Sequence, residues 1–180
     1  MKTLVVYYSN SGNNNYLAQR IGRELGGETE AIKPRLTQLP FQILFSLIKM
    51  SPGIKRLKKS VGDYDVVVLC GPVWMGQLVS PLRTFLKKYQ KQINKLCFAT
   101  CNASTDAQKE TRFGYSRVFA QVKSILGEKL FISEAFPVGL TLPEDKREES
   151  EAVMKARLSD DTFTGEMQER FDAFVGKVKG

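Results

Sequence analysis

The 180-residue sequence contains no histidine. That removes the commonest acid–base side chain, and with it any Cys/His zinc site or Cys–His nucleophile pair. Cysteine is scarce: Cys70, Cys97 and Cys101 cannot all pair, and no two of them form C-x-x-C. They read as small buried hydrophobes of a reducing compartment. Long apolar runs are missing too. The N-terminal LVVYY is too short for a signal-peptide core, and no small-residue cleavage site follows it. Nothing approaches the ~20 residues of a membrane-spanning helix, so a soluble, cytoplasmic protein is expected.

Acidic residues are absent from two long spans. Residues 31–62 hold seven Lys/Arg and residues 66–105 hold five, with no Asp or Glu in either. Residues 144–180 carry ten acidic against seven basic, so the formal net charge of +8 conceals +11 on the first 143 residues. A basic body suits nucleic acid, an anionic lipid surface, an acidic partner or ligand, or plain solvation. Nucleic acid is set aside: no helix-turn-helix, zinc-finger or RNA-binding signature occurs, and no basic segment is interleaved with exposed aromatics.

What is present is an alternation of apolar and amphipathic segments. TLVVYYS, from Thr3, reads as a buried strand, and Leu17, Ala18, Ile21 and Leu25 then fall at helical spacing before Gly26-Gly27. ETEAIKP is a second strand. DVVVLCG, from Asp65, is apolar throughout, as a strand covered on both faces should be. Ser80-Pro81 opens the helix PLRTFLKKYQKQ, KLCFATC is a fourth strand, RVFAQVKSILG a helix and KLFISEAFPVG a fifth strand. Met167, Phe171, Phe174, Val175 and Val178 line one face of a terminal helix. The pattern predicts one α/β domain over 1–180: a doubly wound parallel sheet of order 2-1-3-4-5, with its ligand crevice at the carboxyl ends of the strands.

The segment LTQLPFQILFSLIKMSPGIKRLKKSV, residues 36–61, fits least well. FQILFSLIKM is too short to span a bilayer and too apolar for an ordinary exposed helix. It reads as a crossover helix packed on the sheet; the other readings are a lid, a dimer contact or a surface resting on anionic lipid.

Between the first strand and first helix lies SNSGNNN, uncharged in a chain that is 26% charged. Such a turn presents unpaired N–H groups at the positive end of a helix dipole; Ser and Asn add donors, and Gly12 permits close approach. It is a polar cap that only starts the helix, or a cradle for an oxyanion such as phosphate. No Gly-Lys-Ser/Thr follows, so it is not a Walker A loop, and it is not G-x-G-x-x-G. A response-regulator reading fails because Cys70 ends the third strand where an aspartate is needed. A C-x5-R phosphatase fails because neither Cys70 nor Cys101 has an arginine six residues on.

Ser9, Asn10, Ser11, Gly12, Asn13 and Asn14 together resemble the [Ser/Thr]-x-[Ser/Thr]-Gly-x-[Thr/Asn] phosphate loop of the flavodoxin family. GPVWMGQLVSPLRTFL, residues 71–86, is similar to the family's loop after the third strand, and FATCNAS, residues 98–104, to the loop after the fourth. The likeness covers nearly the whole chain. It implies a flavodoxin-like three-layer sandwich that binds FMN: Ser9 to Asn14 on the phosphate, Pro72, Val73, Trp74, Met75 and Gly76 bordering the flavin ring, and Thr100, Cys101 and Asn102 at its polar edge. Gly76 would bring a backbone group to the flavin N5. For each, the alternative is a packed loop residue. The implied work is electron transfer, as a carrier or as an FMN-dependent NAD(P)H:quinone-type reductase; a cofactor-free interaction module is the third reading. Electron-shuttling members of that family are acidic around the flavin. This basic body therefore implies an acidic redox partner or an anionic reductant such as NADPH.

Overall fold

A computed structural model describes residues 1–180. In chain order the elements are β1 (Thr3–Tyr7), α1 (Asn13–Leu25), β2 (Glu28–Ala31), α2 (Leu39–Leu47), β3 (Val66–Cys70), the hairpin strands β4 (Val73–Trp74) and β5 (Gln77–Leu78), α3 (Ser80–Tyr89), β6 (Lys95–Asn102), α4 (Ser116–Leu126), β7 (Leu130–Pro137), α5 (Ser150–Lys155) and α6 (Gly165–Lys179). Five strands form one parallel sheet, β2-β1-β3-β6-β7. Counting only its own strands, that is the expected order 2-1-3-4-5.

The apolar strands earn their places by burial on both faces. Every residue of β3 is buried, and so are all but the first of β6. Alternation then splits the core. Leu4, Val6, Val67, Leu69, Leu96 and Phe98 pack against α3 and α4, with Phe85 and Val122 among the contacts. Val5, Val68, Cys97 and Ala99 face α1 and α6, where Leu17, Phe171 and Phe174 meet them. Each such side chain removed from water contributes about 1.5–3 kcal/mol, so the two layers hold the sheet between them. No helix is long and apolar enough to cross a membrane.

Helix α2 departs from the expected packing on the sheet. It contributes to neither core; it lies over α3 and the hairpin. Its buried residues are Gln42 and Ser46, while Phe41, Leu44 and Leu47 are exposed. Its apolar residues are too many for one face, and the contact it makes is polar.

Candidate functional site

The carboxyl ends of β1, β3 and β6 bring three loops together. The first begins α1. Gly12 takes φ 95 at the N-cap, a left-handed conformation that suits glycine. No side chain and no carbonyl caps the first turn, so the N–H groups of Asn13, Asn14 and Asn15 are uncommitted at the positive end of the helix. Ser9 Oγ accepts the Gly12 N–H at 3.1 Å, keeping its own proton for another partner.

The asparagine side chains have structural partners that the sequence reading does not include. Asn14 Nδ2 donates to the Cys101 carbonyl at 2.8 Å, and its Oδ1 accepts the Cys101 N–H at 2.8 Å. Asn13 does the same to the C-terminal segment, donating to Ala156 O at 3.2 Å and accepting from Leu158 N at 3.0 Å. Each amide is held at its oxygen and at one N–H, with one further N–H left on Nδ2. They staple the loop to β6 and to residues 156–158, while backbone amides and serine hydroxyls remain as further donors.

The second loop carries the hairpin β4–β5. Trp74 pairs with Gln77, so Met75 and Gly76 form a two-residue turn with φ 50 and 67, the type I′ pattern. Gly76 is required by contact as well as by φ: a Cβ there would collide with the Arg112 carbonyl oxygen. Its own carbonyl accepts Gln121 Nε2 at 3.1 Å, so Gly76 is packed against the 109–115 loop rather than standing on the open wall. Trp74 meets Tyr8 edge-on, with ring centroids 6.1 Å apart. Burial raises the Tyr8 hydroxyl above its ordinary pKa.

The third loop ends β6. Asn102 Oδ1 accepts the Ser104 N–H at 2.9 Å, and its buried Nδ2 has no partner. Thr100 Oγ1 is likewise unpartnered, yet Thr100 is wholly buried and lines neither hollow of the site. Burial pushes the Cys101 thiol up to about 12, which leaves it protonated and inert.

Two adjoining hollows result. A notch of about 170 Å³ is lined by Asn10, Ser11, Asn13, Asn14, Pro72, Val73, Trp74, Cys101 and Asn102, all expected from the sequence, and by Arg157, which was not. Asn10, Val73 and Trp74 also border an apolar groove of about 600 Å³, where Met75 joins Leu39, Ile43, Phe113 and Met154. Ser9, Gly12, Gly76 and Thr100 support these walls without lining them. Neither hollow is lined by an Asp or Glu. Arg157, Met154 and Phe113 carried no local signal, whereas Leu39 and Ile43 belong to the 36–61 segment, for which a lid is one reading; long-range contacts such as those of Asn13 bring such segments here. The basic run Lys55, Arg56, Lys58 and Lys59 lines a separate basin with Thr29 and Lys33 at the β2 edge, and Lys59 is paired with Glu28. It does not face the groove.

No protein-family model matches the chain, and no curated protein matches its sequence. Solved structures do match. A flavoprotein from Lactobacillus acidophilus NCFM in complex with FMN is 21% identical at a TM-score of 0.60, over 74% of this chain and 91% of that one. A flavodoxin from Streptococcus pneumoniae TIGR4 is 10% identical with a TM-score of 0.52, over 99% and 98% of the two chains. An archaeal flavodoxin gives 12%, 0.53, 99% and 97%. At such identities the likeness establishes the fold, which is flavodoxin-like.

Proposed function

We propose that this protein binds FMN non-covalently and serves as a flavodoxin-like redox protein. One observation carries the reading: an uncapped, acid-free helix N-terminus adjoins an apolar groove walled by Trp74. A flavin phosphate ester has the shape and polarity of that pair of hollows. The residues present fit it. The α1 amides and the Ser11 hydroxyl would hold the phosphate, with Ser9 shaping the loop through the Gly12 N–H and Arg157 on the same notch. Trp74 and Met75 would border the ring, and the unpartnered Asn102 Nδ2 would donate to its polar edge. Bound there, the flavin supplies the electron chemistry, for which this histidine-free chain has few tools of its own. The three cysteines are free and buried, which fits a reducing cytoplasm.

Calorimetry with FMN and riboflavin tests the reading. FMN should bind at least about tenfold tighter, because the uncommitted amides are used only by a phosphate. Equal affinity would remove the phosphate role of the loop; binding of neither would leave a cofactor-free interaction module. Trp74 fluorescence should be quenched on the same titration.

A second reading, an FMN-dependent NAD(P)H:quinone-type reductase, is favoured by the groove itself. It runs past Trp74 to Leu39 and Phe113, an apolar wall of the kind that receives flat ligands. An acidic redox protein or NADPH suits the basic body as electron partner. Stopped-flow mixing with NADPH and a quinone separates the two: a carrier should show no turnover.

A further inference from the structure

Helix α2 is inverted. An ordinary surface helix buries its apolar stripe and exposes its polar one. Here Gln42 and Ser46 are buried, while Phe41, Leu44, Leu47 and Ile48 stand 48%, 47%, 43% and 51% exposed. Polar contacts lock that orientation. Gln42 Nε2 donates to the Leu36 carbonyl. Ser46 Oγ donates to Gln42 O at 2.6 Å and accepts the Ser80 N–H at 2.9 Å, and buried Arg83 donates to Ser46 O at 3.5 Å. Rotating the helix to hide its leucines would strand the Ser80 amide and leave the Arg83 guanidinium with Gln121 alone. The apolar surface continues through Leu39 and Ile43 to Met75 and Phe113 across the groove mouth. An exposed patch of this kind marks an interaction surface.

Charge decides what covers it. Residues 31–62 carry seven Lys/Arg and no acid. Lys49 follows the helix directly. Arg35 precedes Leu36, whose carbonyl holds Gln42, so the exposed Arg35 and Lys49 bracket α2 at its two ends, while Lys33, Lys55 and Arg56 lie in the basin at the β2 edge. A two-fold contact through this segment would bring together two basic surfaces with no carboxylate in residues 31–62 of either copy to pair with the cations. An anionic leaflet satisfies both features at once, taking the apolar face into the headgroup–acyl boundary and the cations over the headgroups.

We propose that the protein docks on anionic lipid bilayers through the outer face of α2, with Phe41, Leu44, Leu47 and Ile48 buried and Arg35 and Lys49 above the phosphates. This goes beyond the cofactor reading and does not depend on it; the groove mouth at Leu39 and Ile43 would open at the membrane surface.

The test is co-sedimentation of the full chain, with and without FMN, on phosphatidylcholine vesicles containing phosphatidylglycerol as a minority lipid, against pure phosphatidylcholine. Binding should need the anionic lipid and weaken with salt. The double substitution Leu44→Asp, Leu47→Asp should lower it at least about tenfold, and Arg35→Glu with Lys49→Glu by a similar factor. Both variants alter exposed side chains, so thermal unfolding and FMN affinity should match the parent. Wild-type protein that ignores anionic vesicles overturns the proposal, as does a double-Asp variant that binds equally well. A dimer in sedimentation velocity that Leu44→Asp dissolves, without lipid binding, would assign the face to a second copy. Vesicle binding that persists in a chain unable to bind FMN would leave the docking intact and remove the cofactor reading.

Discussion

Met75 holds a left-handed backbone, φ 50, that a side chain adopts at a cost of about 1 kcal/mol. The type I′ turn demands it, and the turn in turn projects a half-exposed side chain over the groove. Met75→Asn should relieve the strain and raise stability by about 0.5–1 kcal/mol in denaturant melts, while weakening FMN binding through lost ring contact. Loss of stability instead would show that the Met75 contacts outweigh the strain. Glu134 offers a second residue-level test. Burial within β7 lifts its carboxyl above the ordinary range, against the opposing Ala135 N–H and the charge of Arg170. A carboxyl raised in the folded state makes its ionised form costly there. The cost is present above the folded pKa and disappears as pH falls through the carboxylate range. Glu134→Gln should therefore raise the melting temperature at neutral pH, with the gain fading on acidification. A Gln variant less stable at neutral pH would mean that Glu134 serves chiefly as a partner of Arg170. Neither feature was legible in sequence: the strain depends on hairpin register, and the Glu134 shift on how deeply β7 is covered.

At the scale of elements, the sheet was legible because its strands are apolar on both faces, a pattern that DVVVLCG declares without help. The loop SNSGNNN was legible as a junction and as a source of donors. What its asparagines touch was not, since the partner of Asn14 lies 87 residues away and that of Asn13 143 to 145. Asn14 binds both polar groups of Cys101 and so moors α1 to the end of β6. Asn14→Ala leaves that buried N–H and carbonyl unpaired, at an expected cost of about 2 kcal/mol. Asn14→Thr should rescue only part of it, because one hydroxyl cannot span both groups. Urea unfolding of the two variants checks the order; a near-neutral Asn14→Ala would mean that water replaces the staple. Helix α2 was misread for a related reason. Apolar composition alone suggests burial, whereas its orientation is set by Ser46, Ser80 and Arg83, whose meeting no local pattern announces.

At the scale of the whole molecule, charge is partitioned rather than spread. The ligand hollows have no acidic lining, the acid-free spans supply much of their framework, and the acidic excess lies in residues 144–180. Such a field should draw an anionic reductant or an acidic redox protein toward the groove, over roughly one Debye length, ~10 Å at 0.1 M salt. The rate of reduction of FMN-loaded protein by NADPH, or by an acidic partner, should then fall as ionic strength rises. Position discriminates between local and global steering. Arg112 sits over the Phe113 ring at 5.7 Å, beside the groove mouth. Lys58 lines the basin at the β2 edge and shares no wall with the groove. Arg112→Glu should flatten the salt dependence more than Lys58→Glu, although the two change net charge equally. Equal effects would mean that the partner responds to total charge alone; a rate blind to salt and to both substitutions would show that the basic body plays no part in choosing it.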